Sequence, residues 1–145
     1  MTEWKRDGYV VSDDAARLDV DLIHGFLAEE SYWAEGRPRE MVERSLANSI
    51  NLGLYEGDRQ LGFARVITDR ATFAWVCDVF VLREGRGRGL GTWLMECVVQ
   101  HPELKSLRRI LLATRDAHDI YRRVGFGELP NPSRFMIRDG ALPPG

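Results

Sequence analysis

The sequence predicts a mixed α/β fold, of the α+β kind, in which helices flank a central sheet with both antiparallel and parallel strands. Three observations support this class. Two apolar segments joined by a tight turn within residues 51–67 indicate an antiparallel hairpin. A long apolar segment, Thr72–Leu82, indicates a central strand, and one helical segment separates it from another apolar strand, Leu107–Ala113. A strand–helix–strand unit places its two strands parallel through a right-handed crossover, so the sheet should be mixed.

Length and charge favour one domain and exclude several function classes. The 145 residues suit one compact domain over residues 1–140, followed by a loose tail at residues 141–145. A net charge of −2 creates no field that would draw the chain to nucleic acid or to an anionic membrane. No apolar run approaches the roughly 20 residues that span a bilayer, and the N-terminus lacks a signal-peptide pattern, so we expect a cytoplasmic location. Cys77 and Cys97 have no metal-type spacing, so we expect no metal.

The first half of the chain predicts a short strand and two helices before the hairpin. Tyr9–Val11 is the expected first strand. Apolar residues at a 3.6-residue period over Asp19–Glu30 indicate an amphipathic helix. Ser31–Arg37 interrupts that pattern with two aromatic residues and a glycine, and Pro38 suits the first position of a second helix that runs to about Asn48. The hairpin that follows consists of the strands Asn51–Glu56 and Gln60–Ile67 and the turn Gly57–Asp58.

The second half predicts the central strand, two more helices and three more strands. Apolar residues occupy both alternation sets of the central strand, so we expect cover on both of its faces. A helix opens in a glycine-rich turn and continues over Thr92–Val99. After the next strand comes a short helix, Asp116–Arg123, with Gly125 as a left-handed terminator. Two closing strands, Phe126–Leu129 and Arg134–Ile137, complete the order β-αα-βββ-α-β-α-ββ, and the last of them could pair across a homodimer.

The turn after the central strand is basic, rich in glycine and suited to a phosphate group. Residues 83–91 contain four glycines and three arginines, more than a merely flexible connection requires. Glycine lets a ligand approach the backbone, and a helix N-terminus offers unpaired N–H groups and roughly half a positive charge. Arg grips phosphate in a bidentate manner. No Lys precedes Thr92 as a Walker loop requires, and Gly87-x-Gly89-x-Gly91 is not the dinucleotide-binding spacing.

The spacing Arg86-x-x-Gly89-x-Gly91 after a strand resembles the acyl-CoA-binding motif of the GNAT superfamily of N-acetyltransferases. The order of elements is similar to that family as far as about Phe126. The resemblance implies that acetyl-CoA is the acyl donor, that amides of the turn bind its pyrophosphate, and that the preceding strand binds its pantetheine. One departure is Arg83–Gly85, where the family often has Pro-Glu-aromatic. The resemblance assigns to the cofactor Phe80, Val81, Leu82, Arg86, Gly87, Arg88, Gly89, Leu90, Gly91, Thr92, Thr114 and Ala117.

A second motif, Tyr-x-x-x-Gly-Phe, begins at Tyr121 and also resembles the GNAT family. In that family the Tyr lies near the thioester sulfur. A phenol is protonated at neutral pH, so Tyr121 is the expected acid for the departing thiolate, the alternative being a core aromatic residue. Ala117 matches a small residue that lets this helix lie against the cofactor. Thr114 stands where many members have an Asn that contacts pantetheine.

The group that accepts a proton from the amine is left open. Asp78 is the only charged residue in the central strand, and a buried carboxylate is costly without partners or a function. It is either the catalytic base or a structural carboxylate that pairs with backbone or Arg. His118 and Asp119 are further candidates on the short helix. The thioester carbonyl is expected to receive a backbone N–H near Phe80 or Val81.

The acceptor site of the GNAT family is lined by the loop between the first two helices and by the central strands. That loop here is Ser31–Arg37, in which Arg37 could hold a carboxylate of the acceptor. Glu29, Glu30 or Glu35 could hold an ammonium group. An aromatic wall is expected from Tyr32, Trp33, Phe73 and Trp75. The alternative is a hydrophobic lid that packs on the core.

Together these patterns lead us to expect an acetyl-CoA-dependent N-acetyltransferase that acts on a primary amine of a small molecule. Transfer should be direct, in a ternary complex, because neither cysteine has a His in a matching motif that would activate it. Two alternatives stay open. One is a non-catalytic acyl-CoA-binding or sensory module on the same fold, and the other is a nucleotide-binding domain.

Overall fold

A computed structural model describes residues 1–140, so the predicted tail at residues 141–145 lies outside the described part. Six strands form one sheet in the order of the chain, and only β5 and β6 are parallel. The mixed sheet flanked by helices is therefore confirmed. The strands are β1 (Glu3–Arg6), β2 (Tyr9–Ser12), β3 (Ile50–Glu56), β4 (Arg59–Thr68), β5 (Phe73–Val81) and β6 (Arg109–Leu112). The helices are α1 (Val20–Glu29), α2 (Arg39–Ala47), α3 (Leu90–Gln100) and α4 (His118–Arg123).

The element order differs from the prediction at the N-terminus. The predicted first strand is β2, because β1 precedes it and pairs with it as an edge strand. β1 has a single large apolar residue, Trp4, among charged neighbours, so it carries no alternation signal. The turn between the two strands places Asp7 and Gly8 at φ values of 51° and 85°, the left-handed geometry of a tight hairpin.

The two predicted closing strands are wrong. No strand is present between β6 and residue 140, so Phe126–Leu129 and Arg134–Ile137 are not paired in a sheet. Pro130 and Pro132 each lack a backbone N–H, and the second begins a 3-10 turn. The apolar residues after that turn are consecutive rather than alternating, and Met136 and Ile137 are 97% and 84% exposed. The predicted homodimer therefore loses the strand on which it was based.

Helices cover both faces of the sheet. α3 packs with one apolar cluster that includes Ala64 of β4, whereas α1 and α2 pack with a second cluster that includes the neighbouring residue, Phe63. Adjacent residues of a strand point to opposite faces, so the two clusters lie on opposite sides of the sheet. The side chain of Asp19 caps α1 by accepting the N–H of Leu22 at 3.1 Å, and Pro38 lies one residue before α2 rather than within it.

The sheet opens between β5 and β6. Their parallel pairing begins at Phe73 and Arg109 and stops at Val76 and Leu112, although β5 continues to Val81. On its other side β5 stays paired with β4 up to Val81, with one irregularity. The two strands therefore separate beyond Val76, which leaves the second half of β5 with a free edge. Among residues 1–140 no helix is long and apolar enough to cross a membrane.

Candidate active site

The glycine-rich turn presents an uncapped helix N-terminus. Gly87 and Gly89 have φ values of 82° and 73°, which only glycine adopts at little cost, and Gly89 is the N-cap of α3. No side chain caps this helix, and Trp93 is the first residue whose N–H reaches back, to Gly89 O at 3.1 Å. The N–H groups of residues 90–92 thus have no partner within the helix. Such a terminus attracts an anion such as phosphate.

The arginines of the turn have different positions. The Nε of Arg86 donates to the carbonyl of Val81 at 3.0 Å, which holds its guanidinium beside the end of β5. Arg88 instead donates to the hydroxyl of Tyr9 on β2 at 2.6 Å. The turn is further tied to the sheet by an exposed ion pair between Glu84 and Arg59. Of these two arginines, Arg86 is the one that faces the cavity described below.

The free edge of β5 exposes backbone groups. Leu82 donates its N–H to the carbonyl of Leu61 on β4 at 2.7 Å. The backbone groups of successive strand residues point alternately to the two neighbouring strands. Those of Val79 and Val81 therefore face the gap. The carbonyl of Val81 already accepts from Arg86, so the N–H and carbonyl of Val79 and the N–H of Val81 are the groups available to an amide-bearing chain. The predicted donor to a thioester carbonyl, near Phe80 or Val81, is best matched by Val81.

One cavity of about 590 Å³ runs from the glycine turn, beside β5 and α4, to the loop between α1 and α2. Most of the predicted cofactor residues line it: Phe80, Val81, Arg86, Gly87, Gly89, Leu90, Gly91, Thr92 and Ala117. Leu82, Arg88 and Thr114 are not among its lining residues. The chemistry of these walls, with uncapped amides at one end and a free strand edge along the side, fits a long phosphorylated thiol ester such as acetyl-CoA.

Tyr121 lines the same cavity and is half-buried. Its burial, together with the nearby Tyr32 hydroxyl and Asp116 carboxylate, raises the pKa of its phenol above 10.0. The phenol is therefore protonated at neutral pH. The helix that carries it starts where Thr114 accepts the N–H of Ala117 at 3.0 Å, so this hydroxyl has an intramolecular partner.

The loop between α1 and α2, residues 31–37, contributes two aromatic side chains to the other end of the cavity. Tyr32 and Trp33, 46% and 36% exposed, meet edge to face with ring centroids 5.1 Å apart, and both line the cavity together with Glu30. The guanidinium of Arg115 lies 3.8 Å from the centroid of the Tyr32 ring. This contact joins the loop before α2 to the loop before α4. Glu29 and Glu35 do not line the cavity.

Asp78 lies in a buried polar network behind this loop. Its Oδ1 accepts the indole N–H of Trp33 at 3.0 Å, and its Oδ2 accepts from Arg37 Nη1 and from Arg65 Nε, both at 2.8 Å. The side chain of Asp78 is 2% exposed and does not line the cavity that contains Tyr121. This geometry favours the structural alternative that the sequence left open. Arg37 donates to the same carboxylate and does not line the cavity.

Arg65 is the residue of this network that sequence reasoning missed. The available signal was a single charge within the apolar stretch Leu61–Ile67, the same signal that identified Asp78 in β5. The two strands are neighbours, so two isolated charges of opposite sign in them are expected to pair.

The remaining predicted residues lie elsewhere. Phe73 is exposed at the start of β5. Trp75, Thr114 and His118 line a second cavity, of about 970 Å³, beside β6 and the C-terminal segment, and Tyr121 lines both this cavity and the first. Asp119 is exposed on α4. Burial raises the pKa of the Cys77 thiol to about 11 and that of Cys97 to about 12, so neither is activated as a nucleophile.

Comparisons with known proteins agree with this geometry. The family model of the GNAT acetyltransferase domain matches residues 47–128. A proposed acetyltransferase of Gibberella zeae is 32% identical over 138 residues, which cover 81% of this chain and 78% of that protein. Among solved structures, a proposed GNAT-family acetyltransferase of Xanthomonas campestris pv. campestris is 44% identical with a TM-score of 0.89, covering 94% of this chain and 96% of its own. A Staphylococcus aureus protein of unknown function is 25% identical with a TM-score of 0.71, covering 91% and 99%.

Proposed function

The chain belongs to the GNAT family of acetyltransferases, and on this premise we propose that it transfers an acetyl group from acetyl-CoA to a primary amine of a small molecule. Transfer is direct, within a ternary complex. The observation that carries the proposal is that one cavity is lined by the uncapped N-terminus of α3, by Tyr121 and by the aromatic residues of the loop between α1 and α2. A net charge of −2 is consistent with a small acceptor rather than nucleic acid or a membrane surface, and we expect the protein to work in the cytoplasm.

The donor end of the cavity is proposed to bind acetyl-CoA. GNAT acetyltransferases generally use this compound, which supplies the acetyl group as an activated thioester. The N–H groups of residues 90–92 and the guanidinium of Arg86 would hold its diphosphate. The free backbone groups of Val79 would hold the pantetheine chain, and the N–H of Val81 would polarise the thioester carbonyl.

Tyr121 is proposed as the acid of the reaction. As the amine nitrogen forms its bond to the acetyl carbon, the bond from that carbon to sulfur breaks and the electron pair leaves with sulfur. The phenol O–H of Tyr121 then gives its proton to the thiolate. The bound ammonium group first loses a proton to solvent, because only the neutral amine can attack. The proton that its nitrogen loses as the amide forms also passes to solvent, from which the Tyr121 phenolate is reprotonated. The raised pKa of Tyr121 ensures that this proton is present at neutral pH.

The acceptor is proposed to be a cationic amine with an apolar or aromatic body, held between the rings of Tyr32 and Trp33 and the carboxylate of Glu30. Glu30 is the C-cap of α1, where the helix dipole is negative, and the last turn of this helix contains no basic residue. A bound ammonium group would relieve this excess of negative charge. Because Arg37 is held by Asp78, it is not free to bind a carboxylate of the acceptor.

The direct test is an amine panel with detection of the free thiol, supported by calorimetry with acetyl-CoA. We expect acetyl-CoA to bind and at least one amine to be acetylated. Tyr121→Phe should lower kcat by about 100-fold while acetyl-CoA affinity is retained. Binding without acetylation of any amine would instead support a non-catalytic acyl-CoA-binding module. Displacement of acetyl-CoA by low concentrations of ATP would support a nucleotide-binding domain.

A further inference from the structure

We propose that Asp78 is a positioning residue rather than the catalytic base. It fastens the acceptor loop, defined as residues 31–37, to the central strand, and it thereby makes Trp33 a fixed wall that selects the acceptor. This inference rests on the acetyl transfer proposed above, because it assigns roles within the same site.

The hydrogen bonds of Asp78 argue against a role for it as the general base. Both carboxylate oxygens already accept hydrogen bonds, one from Trp33 at 3.0 Å and the other from Arg37 and Arg65 at 2.8 Å. A general base needs an oxygen within hydrogen-bond reach of the proton that it removes, directly or through one water. The carboxylate is 2% exposed and is absent from the walls of the cavity that contains Tyr121.

The backbone at Asp78 is arranged to aim this side chain at the acceptor loop. Its φ of 53° lies in the left-handed region, within the stretch of β5 whose pairing with β4 is irregular. Val76 packs in the cluster under α3, whereas Phe80, four residues later, packs in the cluster under α1 and α2. Regular alternation would put these two residues on the same face. The strand therefore switches faces around Asp78, and the network of its carboxylate stabilises that switch.

The network joins the acceptor loop to three other parts of the fold. Arg65 of β4 also donates to the hydroxyl of Ser49, just before β3, at 3.1 Å. His24 Nε2 of α1 lies 3.2 Å from the carbonyl oxygen of Arg37. Asp78 is the common acceptor, and its single negative charge faces two buried guanidinium groups. Loss of this charge would leave two like charges unpaired and free the loop.

Trp33 transmits this anchoring to the acceptor. Its indole N–H is bound to Asp78, and its ring lines the cavity beside Tyr32. The Trp33 side chain is therefore fixed before the acceptor binds, and binding does not have to pay the entropy of ordering it. The anchor should therefore affect the binding of the acceptor and not the chemical step.

The test compares Asp78→Asn with Trp33→Phe and uses two matched controls outside the site. Asn tolerates the left-handed backbone, so the first variant isolates the charge. Trp33→Phe keeps the charge and both arginines but removes the N–H, which keeps the test valid if the first variant does not fold. The controls are Asp58→Asn, at the exposed turn between β3 and β4, and Trp4→Phe, on β1.

Amide hydrogen exchange of residues 31–37 needs no acceptor. We expect exchange to accelerate about ten-fold or more in both variants and not in the controls. With phenethylamine as the acceptor probe, we expect the acceptor KM to rise about ten-fold and kcat to stay within about three-fold in both variants. The acceptor KM of the double variant should be no higher than that of the worse single variant, because both changes act on the acceptor by releasing Trp33.

Two results would overturn the inference. One is unchanged exchange of residues 31–37 in both variants. The other is a fall of about 100-fold in kcat for Asp78→Asn together with loss of the acid limb of the kcat/KM pH profile, which is the behaviour of a base. If the wild-type chain does not bind acetyl-CoA, the proposed function fails, whereas the exchange measurement still decides whether Asp78 anchors the loop.

Discussion

Tyr32 and Arg115 bridge the candidate site. The guanidinium of Arg115 lies 3.8 Å from the centroid of the Tyr32 ring, and the backbone N–H of Arg115 donates to the Tyr32 hydroxyl at 3.1 Å. Tyr32 belongs to the acceptor loop, and Arg115 belongs to the loop that leads into α4 and to Tyr121. The two loops that would approach the acceptor and the acid are therefore in direct contact through one ring.

This contact predicts a graded effect of changes at Tyr32. Tyr32→Phe keeps the ring under Arg115 and removes only the hydroxyl acceptor, so we expect the acceptor KM to rise about two-fold or less. Tyr32→Ala removes both contacts and part of the aromatic wall, and we expect a rise of about ten-fold or more. Steady-state kinetics with the best amine of the panel measures both. Acetyl-CoA affinity is the internal control, and equal effects of the two variants would contradict the role given to the ring.

The pKa of Tyr121 predicts how the rate depends on pH at the alkaline end. Burial first, with Tyr32 and Asp116, raises this pKa above 10.0, so the folded protein keeps the phenolic proton to higher pH than a free tyrosine does. The rate should therefore begin to fall only above about pH 10, as the acid loses its proton. This limb should be missing from the remaining activity of Tyr121→Phe. A falling limb that persists in this variant would assign the proton to another group.

A second contact, between Asp13 and His101, predicts how the free energy of unfolding changes as the pH falls. Burial alone would raise the pKa of Asp13, but the N–H of Thr2 and the ring of His101, 2.8 Å away, together lower it below its ordinary value of 3.8. A carboxyl group with a lowered pKa stabilises the fold above its unfolded value, and this contribution is lost as the pH falls through the folded value.

The corresponding variant is Asp13→Asn. It should lower the free energy of unfolding by about 1 to 2 kcal/mol at pH 7 and by less at pH 3, where the wild type has begun to lose the same contribution because the pH is below the ordinary value of 3.8. Urea unfolding at the two pH values provides the measurement, with Asp58→Asn as the exposed control. An equal loss at both values would show that the charge of Asp13 does not contribute.

The sequence was sufficient for the parts of the site that consist of local chemistry. The glycine turn follows from composition and spacing, because a helix N-terminus is defined by neighbours in the chain. The place of Tyr121 came instead from the resemblance of Tyr-x-x-x-Gly-Phe to a GNAT motif. The carboxylate of Asp78 could be recognised as unusual but not interpreted, since its partners Arg37 and Arg65 are 41 and 13 residues away. Pairing over such distances depends on the register of β4 and β5, which no local pattern specifies.

The C-terminal strands illustrate the opposite error. Phe135 to Ile137 are apolar and were interpreted as a strand, but their exposure shows that they pack against little of the described chain. Hydrophobicity indicates a need for burial without identifying the partner, and two prolines just before this stretch oppose regular pairing.

The most direct test of whether the N-terminus of α3 binds the coenzyme is a calorimetric titration with acetyl-CoA. The titrated proteins are the folded wild type and the variants Arg86→Ala and Gly89→Ala. We expect saturable one-to-one binding to the wild type. The affinity should fall about ten-fold in Arg86→Ala, which lacks the guanidinium, and about ten-fold in Gly89→Ala, which places a Cβ on a left-handed backbone. Gly127→Ala, at an exposed position with no atom within 4 Å of the added carbon, should bind like the wild type. No uptake of acetyl-CoA by the folded wild type, or equal affinity in all four proteins, would contradict this assignment.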